Sequence, residues 1–505
     1  MQTSSTASAR MPQDQPAAFS PYSFLKPLLA VLTALVIVQF LLIRDNQLIP
    51  FPFHHDDYDF LSYKFSTINW LPSIRPLSTL SFEVLSSIGQ NFYYFSLQVL
   101  LVGYISLVLI FLTTFLELKN IGFLLLFVTS VSIVSFEHLS EAYKYTGLIT
   151  NLLSDNFGIL ALICFVQAFK ERPSLKSMTG GFVFFLMAIL SKEDYILPVL
   201  ALCFYYAFFC DSSSPKTRKM AKITLFTLVV LAASLFLYNK FIAASPFTSS
   251  AATGPYRASI HPKSVLKTLR AYLFSSRVTK IAVAAEIALF LGSVRFWRNS
   301  IWKKHITVHV IIVSLIAPYT CLPFHIFPFY CLNWLPFQFG LLLTLQPIIT
   351  QLSRDRRQLA LISLIFFSVI VVAVSRGERE DIIKWYNGNA ENNRNMIGML
   401  TTNSAFLQQH KTIGIVGVPF LCPWFGVGGA YLSTRLQLNN DWVVFIPKGG
   451  EYYERLLDFQ GSMKRGHVET RVIDDLKSFD APVLKFDEHG NGTISSSAEL
   501  AKSGY

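Results

Sequence analysis

Long uncharged apolar runs alternate with short charged segments over the first three-quarters of the chain, and then the pattern changes. PLLAVLTALVIVQFLLI (27–43) contains no charge. Runs of the same character follow at 93–115, 121–136, 147–169, 179–191, 195–210, 223–241, 280–294, 306–322, 329–348 and 359–375. A helix needs about 17–25 apolar residues to cross a bilayer. Helices are also the spanning element whose backbone groups are all satisfied internally. The pattern therefore predicts about eleven transmembrane helices, with the runs at 179–191 and 280–294 short. Between the first two runs, IRPLSTLSFEVLSSIG (74–89) repeats its apolar residues at helical spacing and predicts a helix lying along the interface. Beyond 375, charges and Asn/Gly rise. TIGIVGV (412–418) and DWVVFIP (441–447) read as strands and GEYYERLLDFQ (450–460) as a helix. APVLKFDEHGNGTIS (481–495) reads as a hairpin turning at HGNG. That segment predicts a small α/β domain, and no repeat of 20–50 residues is visible.

Composition agrees with lipid as the main solvent. The chain has 505 residues, is 52% hydrophobic and 15% charged, and its mean hydropathy is +0.44. A soluble domain carries about 25% charged residues. The formal charge of +12 raises the question of nucleic acid. The basic residues instead fall in short clusters between apolar runs, which is a topology signal. KERPSLK (170–176), PKTRKMAK (215–222), RFWRNSIWKK (295–304) and RDRR (354–357) would all be cytoplasmic if the N-terminus is. The connections EHLSEAYKYTG (137–147) and FHIFPF (324–329) would be outer. The predicted organisation is a cytoplasmic, disordered N-terminus (1–26), a polytopic α-helical membrane domain (27–375) and an extracytoplasmic α/β domain (376–505). The first outer loop is 44–92, and the first run is an uncleaved signal anchor. Cys164, Cys203 and Cys210 lie in apolar runs as small core residues. Cys321, Cys331 and Cys422 fall near the outer face, where a disulfide among them is an open reading.

The candidate chemistry sits on that outer face. FPFHHDDYDFL (51–61) follows the first run directly. Its plain reading is a solvated acidic turn, with Asp57 or Asp59 as a helix N-cap. Adjacent ligands rarely close on one ion, so a metal site is the weaker reading. Three features add weight to a functional one. Arg75 stands at the start of the amphipathic segment. SKEDY (191–195) contributes Lys192, Glu193 and Asp194 on the same side. The 242–279 loop carries Arg257, His261, Lys263, Lys267 and Arg270. Carboxylates can take a proton from an attacking hydroxyl, and cations can hold a departing phosphate. A sugar donor with a lipid-phosphate leaving group needs both at an outer interface. Asp155 lies about two turns inside its run and is either a packed polar residue or a cavity-facing one. FGVGGAY (425–431) lacks the GxGxxG spacing and reads as a glycine-rich turn.

HHDDYDFLSY, then RPLSTLSFEVLSSIGQNFYYFSLQVLL, then SKED after the fifth run resemble the GT-C membrane glycosyltransferases, which include protein O-mannosyltransferases and lipid A aminoarabinose transferases. The resemblance covers roughly residues 25–350; the C-terminal domain lies outside it. It implies a polyprenyl-phosphate sugar donor and a first-loop acid as catalytic base, here Asp56 first and Asp57 second. Many relatives have Asp-Glu where this chain has Asp-Asp. The donor phosphate would meet Arg75, Lys192, Arg257 and Arg270. Glu193, Asp194, Asp155 and His55 would orient these groups or bind the sugar. No cofactor is required, although some relatives use a divalent metal. The implied partners are the lipid-linked sugar, a glycan, lipid or protein acceptor, and membrane lipid, with no nucleic acid. The implied place is a bacterial inner membrane, with the site on its periplasmic face.

Two rival readings remain open at this point. A lipid-linked glycan polymerase or ligase would work through arginines of the second half, such as Arg257 and Arg270. A transporter or flippase would show paired discontinuous helices.

Overall fold

The computed structural model describes residues 21–43, 75–118, 121–139, 148–170, 174–211, 213–241, 261–293, 299–321, 328–418, 422–424, 430–446 and 468–502. The acidic stretch with His55, Asp56 and Asp57, and Arg257, lie outside them. So do the whole of the GEYYERLLDFQ segment, expected as a helix, and most of FGVGGAY.

The chain folds as a helical bundle followed by a small sheet. Helix α1 spans Pro21–Ile43, α2 Pro76–Ile88, α3 Gln90–Phe115, α4 Phe123–Val134, α5 Ile149–Ala168 and α6 Leu175–Ser191. Helix α7 (Ile196–Phe204) continues into a π-helical turn at Tyr205–Phe209. Then come α8 (Pro215–Phe241), α9 (Pro262–Leu273), α10 (Arg277–Ser293), α11 (Asn299–Thr320), α12 (Leu335–Gly340), α13 (Gln346–Gln351) and α14 (Arg354–Thr402). Among the described residues, α3, α5 and α14 are long and apolar enough to cross a membrane; α4, α6 and the middle of α1 are shorter apolar helices.

Two sequence expectations need correction. The apolar run 329–348 is not one helix. It alternates 3-10 turns (Pro328–Asn333 and Leu341–Leu345) with the short helices α12 and α13. Pro336 and Pro347 start those two helices, and a proline lacks the N–H that a continuous helix would need there. The last run does not end at 375. Helix α14 continues for 49 residues, because a buried stripe persists beyond the apolar run: Arg379, Ile383, Tyr386, Ala390, Asn393, Met396 and Leu400, at spacings of three and four. The open reading of a disulfide among Cys321, Cys331 and Cys422 closes as well. All six cysteines are free thiols, with Cys331 and Cys422 buried.

The bundle core is built from close helix contacts. Gly158 on α5 leaves room for the Tyr195 ring; a Cβ there would sit 2.0 Å from that ring's Cγ. The C-terminal sheet is β3-β2-β1-β4-β5, from β1 (Thr412–Val416), β2 (Asp441–Ile446), β3 (Val468–Val472), β4 (Val483–Phe486) and β5 (Gly492–Ser495). All pairings are parallel except β4–β5. β1 and β2 are buried almost throughout, as strands covered on both faces must be. Met396 and Leu400 of α14 cover one face, and Leu476, Phe479 and Leu500 the other. The β4–β5 turn is held against α14. Asn392 and Asn395 donate to the carbonyls of Glu488 and His489, both at 2.9 Å. Gly490, at φ +75°, lies so near the Asn392 carbonyl that no Cβ fits. A short helix, α15 (Ala430–Arg435), brings Arg435 onto α2, where its Nη2 donates to the Ser86 carbonyl at 3.1 Å.

Candidate functional site

The site forms where the chain interrupts a helix. Helix α6 ends at Ser191, Lys192 turns extended, and Glu193–Tyr195 make one 3-10 turn before α7 begins. Such a break leaves backbone carbonyls without intrahelical partners. Hydroxyls from neighbouring helices supply them. Ser78 of α2 donates to the Ser191 carbonyl and Ser154 of α5 to that of Lys192, both at 2.8 Å. The break is thereby fixed by α2 and α5, with Lys192 and Asp194 buried.

Lys192 and Asp194 form a buried ion pair at 3.1 Å. Tyr319 of α11 sits between them. Its Oη donates to Asp194 Oδ2 at 2.7 Å and accepts from Lys192 Nζ at 2.7 Å. Asn333 Nδ2 also donates to that phenolic oxygen at 2.8 Å, and Asn151 Nδ2 at 3.0 Å. A phenolic oxygen has two lone pairs. Three N–H donors therefore converge on two acceptor positions, and Asp194 Oδ2, 3.1 Å from Lys192 Nζ and 3.4 Å from Asn333 Nδ2, takes up the rest. The Lys192 ammonium lies 4.8 Å from the Tyr319 ring centroid and 5.1 Å from that of Tyr330. Tyr272 and Trp334 pack edge-on behind, with centroids 5.5 Å apart. Burial pulls the lysine below its ordinary range, against the opposing pull of Asp194.

A second pair closes the mouth. Arg75, just before α2, meets Glu193 at 3.1 Å, and both side chains are part-exposed. Burial alone would raise the Glu193 carboxyl, but the Arg75 guanidinium, a backbone hydrogen bond and the Lys192 charge together hold the group low. Asp155 is 1% exposed, within electrostatic reach of both Asp194 and Lys192, and its Oδ1 has no hydrogen-bond partner among the described residues.

The residues expected from sequence divide accordingly. Arg75, Lys192, Glu193, Asp194 and Asp155 converge. Lys192 takes Asp194 as its partner and Glu193 takes Arg75, because a 3-10 turn points consecutive side chains about 120° apart. Arg270 does not join them. Thr268 and Tyr272 are the buried residues of α9, and Arg270 lies on its exposed face with Lys263 and Lys267. Asp56, Asp57, His55 and Arg257 lie outside the described residues. Sequence reasoning missed Tyr319, Asn333 and Asn151. Their signal was a lone amide or phenol inside an apolar run.

A separate carboxyl pair lies where α4, α10 and α14 meet. Glu137 is fully buried. Burial, and after it the neighbouring Glu378 carboxylate, raises its pKa to about 7. Glu378 pairs with the Arg277 Nε at 3.0 Å and accepts from the Arg277 backbone N–H at 3.3 Å.

No family model, curated protein or solved structure matches this chain.

Proposed function

We propose that the chain is a multispan membrane glycosyltransferase of about eleven helices. It moves a sugar from a polyprenyl-phosphate donor to a hydroxyl of a glycan, lipid or protein acceptor on the outer face of a bacterial inner membrane. The observation that carries this reading is the convergence of three N–H donors, from Lys192, Asn333 and Asn151, on Tyr319 Oη beside the buried Lys192–Asp194 pair. Convergent N–H donors held in one place are suited to an incoming oxyanion, and Arg75 pairs with Glu193 beside them. Both cations already have carboxylate partners, so the donors would hold a phosphate through hydrogen bonds rather than through bare charge.

In this reading the acceptor oxygen attacks the anomeric carbon opposite the phosphate. The carbon–oxygen bond to phosphate breaks, and its electron pair leaves on the phosphate. Lys192, Asn333 and Arg75 take up that charge. The open Oδ1 of Asp155 accepts from a sugar hydroxyl. Asp56, with Asp57 beside it, takes the acceptor proton; that role rests on the sequence resemblance. The C-terminal domain, docked on α2 through Arg435, stands where an acceptor would approach.

The test is transfer by purified protein from a panel of polyprenyl-phosphate sugars. Asp56→Asn should lower it by about 10²–10⁴-fold, the range for a positioned general base, and Lys192→Met should weaken donor binding. Unchanged transfer in Asp56→Asn, Asp57→Asn and Lys192→Met together would sink the reading.

One observation favours transport as a second reading. Near the middle of α10 and α11, Glu286 bridges His309 Nε2 at 2.9 Å and Gln338 Nε2 at 3.2 Å. Ionisable groups at that depth are functional candidates, and sugar transfer does not use this one. Substrate uptake by proteoliposomes that is lost in Glu286→Gln, with no transfer activity in the parent, would favour it.

A further inference from the structure

Helices α6 and α8 leave a slot between them at the end opposite the Lys192 break. It encloses about 430 Å³. Met178 and Phe182 of α6 form one wall. Lys216, Lys219, Ile223 and Thr227 follow one another down a single face of α8. The floor is fixed by Thr224, which is buried and donates to Met178 Sδ at 3.4 Å. Thr227 turns its hydroxyl to its own helix, donating to the Ile223 carbonyl at 3.0 Å. The slot is therefore apolar along its length and cationic at one end.

Lys216 and Lys219 lie in the first turn and a half of α8 and are exposed. Neither makes an ion pair among the described residues. Their neighbours are engaged elsewhere: Arg218 donates to the Cys210 carbonyl, and Lys222 lies 5.1 Å from the Phe208 ring centroid. From Lys216 to Thr227 the helix rises about 16 Å, roughly half of a ~30 Å hydrocarbon core. The slot thus has the depth of one leaflet, with two ammonium groups at the height of its headgroups. Ile223 is 58% exposed and Phe226 71%, as side chains facing lipid would be.

We infer that this slot binds one anionic glycerophospholipid, with its phosphate on Lys216 and Lys219 and an acyl chain along Met178, Phe182 and Ile223. Charge complementarity selects the headgroup, and the apolar lining excludes a soluble phosphate as the natural occupant. Basic pockets between helix ends are suited to such lipids. The inference rests on the membrane placement of α6 and α8 and is independent of the transfer chemistry.

The experiment is native mass spectrometry of the purified full chain, titrated with phosphatidylglycerol or with phosphatidylcholine of the same acyl chains. Phosphatidylglycerol should remain bound and phosphatidylcholine should not. Lys216→Gln with Lys219→Gln should weaken phosphatidylglycerol binding by about 30-fold, as expected for two lysines at a membrane surface. Ile223→Trp keeps both charges but fills the slot, and should weaken it comparably. Arg354→Gln with Arg356→Gln removes the same charge from another exposed helix start and should leave binding unchanged. Glycerol 1-phosphate should not compete. The inference is overturned if the double lysine variant binds normally, or if Ile223→Trp binds normally, which would mean diffuse surface charge only. Competition by glycerol 1-phosphate, or a second copy of the chain held in place of lipid, would overturn it as well. Because the readout is lipid mass, its failure leaves sugar transfer to be judged separately.

Discussion

Tyr319→Phe is the sharpest perturbation of the site, because it removes one oxygen and nothing else. That oxygen donates to Asp194 and receives Lys192, Asn333 and Asn151. The bond to the Asp194 carboxylate is charge-assisted, worth about 1.5–3 kcal/mol. At least one of the three donors is then left buried without a partner, at about 1–3 kcal/mol. Asn333 still has Asp194 at 3.4 Å, and Lys192 keeps its ion pair, so the terms do not simply add. A loss of about 3–4 kcal/mol is expected. The ring itself stays, tilted against Tyr330 with centroids 4.6 Å apart, so the bundle should still assemble. The assay is the fraction of monodisperse protein surviving a temperature series in detergent, with donor binding measured on the survivors. Both should fall, and phosphate-containing donor should rescue stability in the parent more than in the variant. A Tyr319→Phe protein that melts with the parent and binds donor equally well would refute the hub described here.

Arg75→Ala should weaken donor binding by about tenfold, the low end for a charge-assisted contact since the pair is part-exposed; Arg75→Lys should recover only part, because an ammonium lacks the guanidinium fork. Equal donor affinity in all three proteins would remove Arg75 from the mouth. Gly158→Ala should destabilise by about 1–3 kcal/mol, because the added methyl meets the buried Tyr195 ring; an unchanged melting temperature would mean that α5 and the 3-10 turn are not packed this closely. Glu137 titrates near 7 in the fold against 4.5 for the free group, so between those values the folded state holds more protons than the unfolded one. Stability should therefore fall as pH rises from 4.5 to 7, by up to about 3 kcal/mol, and Glu137→Gln should flatten that slope and be more stable than the parent at pH 8. A slope that persists in the variant would assign it to other groups.

Many of the helices were legible because a long uncharged apolar run is written in one dimension, although only α3, α5 and α14 among the described residues are long and apolar enough to cross a membrane. The β4–β5 hairpin was legible for a local reason too: HGNG can only turn. What hydropathy could not show was the break at Pro336 and Pro347, where average apolarity stays high while the hydrogen-bond ladder fails. Nor could it show α14 beyond 375, where the signal changes from total apolarity to a stripe. In the site, Lys192, Asp194, Glu193 and Arg75 stood out as charges beside apolar runs. Their pairing did not, since which carboxylate meets which cation depends on a single 3-10 turn. Tyr319 and Asn333 are 125 and 139 residues from Asp194, and packing alone brings them to it.

Helix α14 has a further consequence. Its 49 residues make a rod of about 74 Å, more than twice a ~30 Å hydrocarbon core. The sheet is fastened to the far end of that rod by Asn392, Asn395, Met396 and Leu400, and α15 reaches back to touch α2. Height and compass heading of the sheet are thus counted out in residues, like the teeth on a key. One alanine inserted between 380 and 385 would raise everything beyond it by only about 1.5 Å but swing it through about 100°. Arg435 would then face away from Ser86, with every local contact of the sheet intact. The spacing between the two halves of this protein is therefore a matter of phase more than of length.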